Sequence, residues 1–224
     1  MCGRFYLDAS EKYLFDQFSL SQVVRYQLPN YNTSPGQSIN VIFGLKNFAR
    51  VLTTMHWGFI PSWSREKNNS FRMSNARSET VEEKTAYKNA FKTRRCLIPI
   101  NGYFEWKSLS NKQKQPHYFY LSDTPIFVLA GLWENWISPN GEKISSCTIL
   151  TKSSNEQIKE IHHRMPVIIQ QSDFDCWLNQ SSTISNIKQL VQKDSGLKIR
   201  SHVVDHAMNK TEHNNKDIKG IRNK

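Results

Sequence analysis

The second residue of the chain is a cysteine, in the opening segment MCGRF. Methionine aminopeptidases remove an initiator methionine when the next residue is small, and cysteine qualifies. Loss of Met1 would leave Cys2 carrying an α-amine and a β-thiol. Their ordinary pKa values, about 8 and about 8.5, leave usable fractions of both nucleophiles at neutral pH. A 1,2-aminothiol reacts with an aldehyde in two steps. The amine condenses to a Schiff base, and the thiolate then closes a five-membered thiazolidine ring that traps an otherwise reversible imine. A cysteine at position 2 says little by itself, so the question is which groups could serve it.

Three segments offer such groups. NARSET (75–80) brings an amide, a guanidinium and a carboxylate to an expected helix start. RCLIPINGYFEW (95–106) runs from a strand through a glycine turn to Glu105, flanked by Phe104 and Trp106. A carboxylate between two large aromatics is either exposed by strand alternation or held in a low-dielectric pocket, where its pKa rises. IHHRMPVII (161–169) carries His162, His163 and Arg164 ahead of an apolar strand. Histidine suits proton transfer near neutrality, and strand alternation would aim the two imidazoles in opposite directions.

The remaining cysteines, Cys96, Cys147 and Cys176, show no C-x-x-C spacing and read as buried, reduced thiols rather than a zinc ribbon or redox pair. His202 and His206 in HVVDH are four apart, as in helical zinc pairs. Their surroundings look like strand, the glutamate after the first histidine is missing, and no third ligand is evident. No metal site and no cofactor are expected.

The elements that must position these groups can be read more coarsely. The chain has 224 residues, 38% hydrophobic and 22% charged, which fits a folded core of one domain. No apolar run approaches the roughly 20 residues that span a bilayer. The first residues lack the basic and apolar regions of a secretory signal, so the cytoplasm is the expectation. The net charge of +11 suits a polyanionic partner such as nucleic acid without proving one. Residues 9–20 predict a helix capped by Ser10. Residues 30–37 predict a loop, 39–44 and 50–56 paired strands, 57–70 an irregular segment, and 78–92 a second helix. The middle is strand-rich through RCLIPI, NGYFEWKS, HYFYLS, IFVLAGLWENWI and SSCTILTK. A short helix at 153–161, helices from Asp173 and near Ser185, and a strand at 197–204 follow. Strands and helices do not alternate regularly, so the class is α+β. The domain spans residues 1–209, and the polar, basic tail 210–224 is expected to fray.

CGRF, the SPG loop, WGFIPSW, NARSET, RCLIPINGYFEW, LTKSSN, HHRMPVI and VVDHAMN occur in this order along nearly the whole chain. Together they resemble the SOS-response-associated peptidase family, also known for covalent capture of abasic sites. The resemblance implies a barrel-like core of curved mixed and antiparallel sheets with flanking helices. It implies that Cys2 is the N-terminal nucleophile, that Asn75 holds the reacting centre, and that Glu105 assists proton transfer at the Cys2 amine. The family histidine stands two residues before Arg-Met-Pro, here His162, acting as general acid/base on the sugar and in strand cleavage. Arg4, Arg77 and Arg164 flank these motifs and suit phosphate oxygens. Trp57, Trp63 and Trp106 are either stacking platforms for unpaired bases or core residues. The implied partner is single-stranded DNA containing an abasic site, met by a monomer with no membrane association and associated with the nucleoid when bound to DNA. Two other readings are a cysteine-type peptidase with autoproteolytic activity, though only Met1 precedes Cys2, and a non-covalent basic single-strand binder.

Overall fold

The chain was analysed as a computed structural model that describes residues 2–45, 47–67, 70–110 and 113–220, Phe71 by its backbone only. In chain order the strands and helices are β1 (Phe5–Leu7), α1 (Glu11–Gln17), β2 (Gln22–Val23), β3 (Asn30–Thr33), β4 (Ser38–Gly44), β5 (Arg50–Trp57), β6 (Asn75–Arg77), α2 (Lys88–Thr93), β7 (Arg95–Ile100), β8 (Gly102–Ser108) and β9 (Lys114–Leu121). They continue with β10 (Phe127–Ile137), β11 (Lys143–Ser153), α3 (Glu156–Lys159), β12 (Arg164–Pro166), β13 (Ile168–Ile169), α4 (Phe174–Leu178), α5 (Ile184–Gln192) and β14 (Ile199–Val203).

Strand pairing closes a ring. β4 lies antiparallel between β5 and β7, β7 pairs β10, and β10 pairs β11. β11 then returns to β5 in parallel, through Ser146↔His56 and Cys147↔Trp57. The fold is the expected α+β class with a barrel-like core. The barrel strands carry long apolar runs, so their side chains fill the interior: Ile42, Leu52, Cys96, Leu97, Leu129 and Ile149 are all fully buried. A closed barrel leaves few ladder groups unpaired.

A second, antiparallel sheet has the order β14-β9-β8-β1-β3. Gly102, at the start of β8, lies so close to its neighbours that a side chain there would run into the Phe119 carbonyl and the Tyr118 ring. The sheet meets the barrel where Phe5 packs on Trp57, ring centroids 5.0 Å apart. That contact sets the N-terminal residues beside the barrel rim.

Several local expectations change. Asn30–Thr33, expected as loop, is strand β3 against β1. Asn32 bonds across the fold, while Asn30 Oδ1 accepts locally from the Asn32 amide. Residues 78–92 do not form one helix: only Lys88–Thr93 is helical, and Asn75–Arg77 is a strand beside β11. The Ser78 amide, expected at a helix start, donates to the Thr151 carbonyl of β11. The segment after Asn209 makes contacts with the domain as far as Gly220. Asn32 donates to the carbonyls of Met208, Lys210 and His213. Ile218 is buried, and the Lys219 ammonium lies 4.3 Å from the Tyr6 ring centre. The polar composition concealed these few anchors. Among the described residues, no helix is long and apolar enough to cross a membrane.

Candidate active site and nucleic-acid face

Cys2 precedes β1 and is fully buried. Its carbonyl accepts a hydrogen bond from Asn75 Nδ2 at 2.9 Å. Asn75 can reach it because β6 lies on β11, with Asn75 opposite Ile149. Asn75 Oδ1 is buried and has no hydrogen-bond partner among the described residues. A buried acceptor left open in this way costs free energy unless a ligand or water completes it.

Glu105 lies on β8 between residues of the opposite face. Phe104 is buried against Tyr118 under the C-terminal segment, so alternation turns Glu105 to the other side. There it is 2% exposed. Burial pushes its pKa up to about 7, against the opposing charge of the chain's amino terminus. The low-dielectric alternative is therefore the one realised. The same burial, reinforced by the Glu105 charge, drives the Cys2 thiol far above its ordinary value. This environment disfavours the Cys2 thiolate, so a neighbour that accepts the thiol proton matters to its reactivity.

His162 follows α3, in a turn whose amide donates to the Ile158 carbonyl. Its Nδ1 accepts from the Arg164 backbone N–H at 3.0 Å, although the Arg164 carbonyl is also near, at 3.1 Å. The amide contact assigns the proton of the neutral ring to Nε2. That atom is 3.9 Å from Glu105 Oε2. Burial, then the amino-terminal charge, lowers the His162 pKa, so the ring is neutral near pH 7. His163 does not point the opposite way. The two histidines precede β12 rather than lying in a strand, and their rings stack at 4.6 Å with His163 on the exposed side. A cleft of about 490 Å³ opens here, lined in part by Glu105, Trp106, Lys114, Lys159, His162 and His163.

The remaining candidates separate. Arg77 is exposed at the end of β6, and Trp63 is 65% exposed in the irregular segment. Trp106 is partly exposed, its indole N–H donating to Asn209 Oδ1 at 2.8 Å. Trp57 is fully buried and donates to the Ser74 carbonyl, so it offers no face to a base. Arg164 is buried and engaged on Glu79 and the Thr151 carbonyl, so as folded it does not present its guanidinium to phosphate. Arg4 Nη1 bonds Asn32 Oδ1 and the Met208 carbonyl, which ties it to the C-terminal segment. Sequence reasoning missed Asn32 and Asn209, and it singled out the Glu79 carboxylate of NARSET without its partner Arg164. Asn209 ends VVDHAMN, but both Glu79 and Asn209 work through distant partners that spacing does not reveal. His202 packs on Tyr118 and Tyr120 and hydrogen-bonds the Lys219 carbonyl, while His206 begins a short turn.

The model of the SOS response associated peptidase (SRAP) family matches residues 1–211. The chain belongs to the SRAP family. Among its relatives, the abasic site processing protein YoaM of Bacillus subtilis is 39% identical over 82% of this chain and 81% of its own. The abasic site processing protein YoqW of the same organism is 33% identical over 97% and 98%. The abasic site processing protein HMCES of Xenopus tropicalis is 36% identical over 65% of this chain, which spans only 51% of that larger protein. A crystal structure of a protein from Bacteroides thetaiotaomicron superimposes with a TM-score of 0.88, at 25% identity, covering 99% of this chain and all of that one.

Proposed function

We propose that this protein senses abasic sites in single-stranded DNA and captures them covalently through Cys2, after loss of Met1. The reading is carried by one arrangement: Cys2, held by Asn75, lies beside a buried Glu105 that faces His162 Nε2. Membership of a family whose relatives bear the name abasic site processing protein supplies the substrate class.

The steps balance without a further reactant. The Cys2 amine adds to the C1′ aldehyde of the ring-opened sugar, and water leaves to give the imine. The thiol then adds across C=N: sulfur bonds carbon, and its proton ends on nitrogen by way of Glu105. Glu105 suits this relay because a pKa of about 7 lets it take and return a proton near neutrality. His162, neutral with its proton on Nε2, donates to the sugar oxygen as the ring opens. From the imine, loss of a C2′ proton would expel the 3′ phosphate and cleave the strand. Arg77 and Trp63 are exposed, and their side chains suit phosphate and an unpaired base. An abasic site has no base to stack and a pliable backbone, so no sequence preference is expected. A cytoplasmic monomer that joins the nucleoid on binding fits this role.

The test is incubation with a single-stranded oligonucleotide carrying one abasic site, followed by a denaturing gel. A slow band that requires both the abasic site and Cys2 is expected. Equal, non-covalent binding of intact and abasic strands by wild type and C2A would overturn the reading.

A further inference from the structure

We infer that Glu79 is a positioning residue for His162, acting through Arg164. The inference rests on the proposed abasic-site chemistry for its consequence but not for its geometry.

Arg164 Nη1 and Nη2 meet the two Glu79 carboxylate oxygens at 2.6 and 2.9 Å, and Nη2 also donates to the Thr151 carbonyl at 2.7 Å. The guanidinium is buried, whereas Glu79 is exposed. A two-oxygen clamp of this kind fixes the plane and position of a guanidinium. The main chain of the same residue supplies the N–H that His162 Nδ1 accepts. Pinning the Arg164 side chain therefore pins the amide that chooses the His162 tautomer, and that choice turns Nε2–H toward Glu105. The clamp also joins the two halves of the site. Glu79 follows Asn75 by four residues, and Arg164 follows His162 by two, so one ion pair fixes the Asn75 side to the His162 side across β11.

Charge acts in the same direction. The Arg164 guanidinium charge lowers the His162 titration slightly, against the larger raising effect of the backbone hydrogen bond to the same residue. Hydrogen bonding to Arg164 keeps the Glu79 carboxylate below its ordinary range, so it is ionised throughout the working pH. Removing its charge leaves the Arg164 cation uncompensated and depresses His162 further. The other groups that face or border His162 are Glu105 from β8, Lys114 from β9, the amino terminus, the stacked His163, and Lys159 and Glu160 of the cleft. None of them contacts the Arg164 guanidinium in the hydrogen bonds described.

The test combines E79Q, E79D and wild type, each as the full chain. Nitrogen-15 NMR of His162 without DNA should show the Nε2–H tautomer in wild type. E79Q should show mixed tautomers and a titration midpoint at lower pH, and E79D should restore much of the wild-type signature. Crosslinking to an abasic oligonucleotide should slow about tenfold in E79Q, while affinity for the intact strand stays unchanged. An unchanged tautomer and midpoint in folded E79Q would overturn the inference. So would tighter, more salt-dependent binding of intact strand with an unchanged imidazole, since Arg164 would then be a phosphate ligand released from Glu79. If wild type forms no crosslink yet E79Q alters the imidazole, the positioning role stands and the proposed chemistry falls.

Discussion

His162 Nε2 and Glu105 Oε2 stand 3.9 Å apart, one donor and one acceptor separated by slightly more than a hydrogen bond. Their environments reverse the usual order of their pKa values. Burial raises Glu105 to about 7, and burial and positive charge lower His162 below its ordinary 6.5. At neutral pH the pair holds a mixture of carboxyl and carboxylate beside a neutral imidazole. That is the composition expected of an acid and a base sharing one substrate.

The first prediction follows from the Glu105 titration. Thiazolidine closure needs the carboxylate to take the thiol proton, so the crosslinking rate should rise with pH through about 7. E105Q should lose that rise and react about a hundredfold more slowly. Single-turnover crosslinking between pH 5 and 9 measures both. A wild-type profile flat across pH 7 would remove Glu105 from this role.

The same group makes a stability prediction. Its folded pKa, about 7, exceeds the ordinary 4.5, so the folded state retains a proton that the unfolded chain has lost. This contribution is full below pH 4.5 and disappears as pH rises to about 7. E105Q should therefore melt above wild type at pH 8, with the gap closing below pH 4.5. Thermal melts at the two pH values decide it.

Trp57 and Trp63 should behave in opposite ways. W57A removes a fully buried ring and should cost about 3–5 kcal/mol of stability. W63A should leave stability unchanged and weaken single-strand binding by about 1–3 kcal/mol. R77A should weaken binding irrespective of sequence and reduce the salt slope by about one. Denaturant melts and salt-dependent fluorescence titrations separate these effects.

Asn32 links Arg4 to the C-terminal segment. N32A leaves carbonyls and a half-buried guanidinium with fewer partners, and should cost about 1–3 kcal/mol. It should also release residues 205–220 to limited proteolysis before the barrel opens. Protection of that segment in N32A would show that its other contacts, such as those of Ile218, Lys216 and Lys219, hold it without Asn32.

Barrel strands were legible because their β-branched and aromatic runs leave little choice of partner. Glu105 was legible as a candidate, but its burial was not: spacing says which residues alternate, not which face the C-terminal segment covers. Two readings failed for one reason. The Asn30–Thr33 strand pairs with β1 while the Asn32 side chain donates to the Met208 carbonyl, and the Ser78 amide donates to the Thr151 carbonyl, all at separations no local pattern encodes. The partner of Arg164 was hidden in the same way: the carboxylate that holds its guanidinium lies 85 residues away. The tail was judged by its polarity, and Ile218 was too isolated to signal an anchor.

The most direct test is the mass and cysteine chemistry of the adduct itself. Wild-type protein reacted with an abasic oligonucleotide should give one species, without borohydride, whose mass equals the chain lacking Met1 plus DNA minus one water. Of its four cysteines, three should remain open to alkylation after denaturation, with Cys2 blocked. An adduct that retains Met1, attaches at a lysine, or leaves all four cysteines free to alkylate would contradict the account.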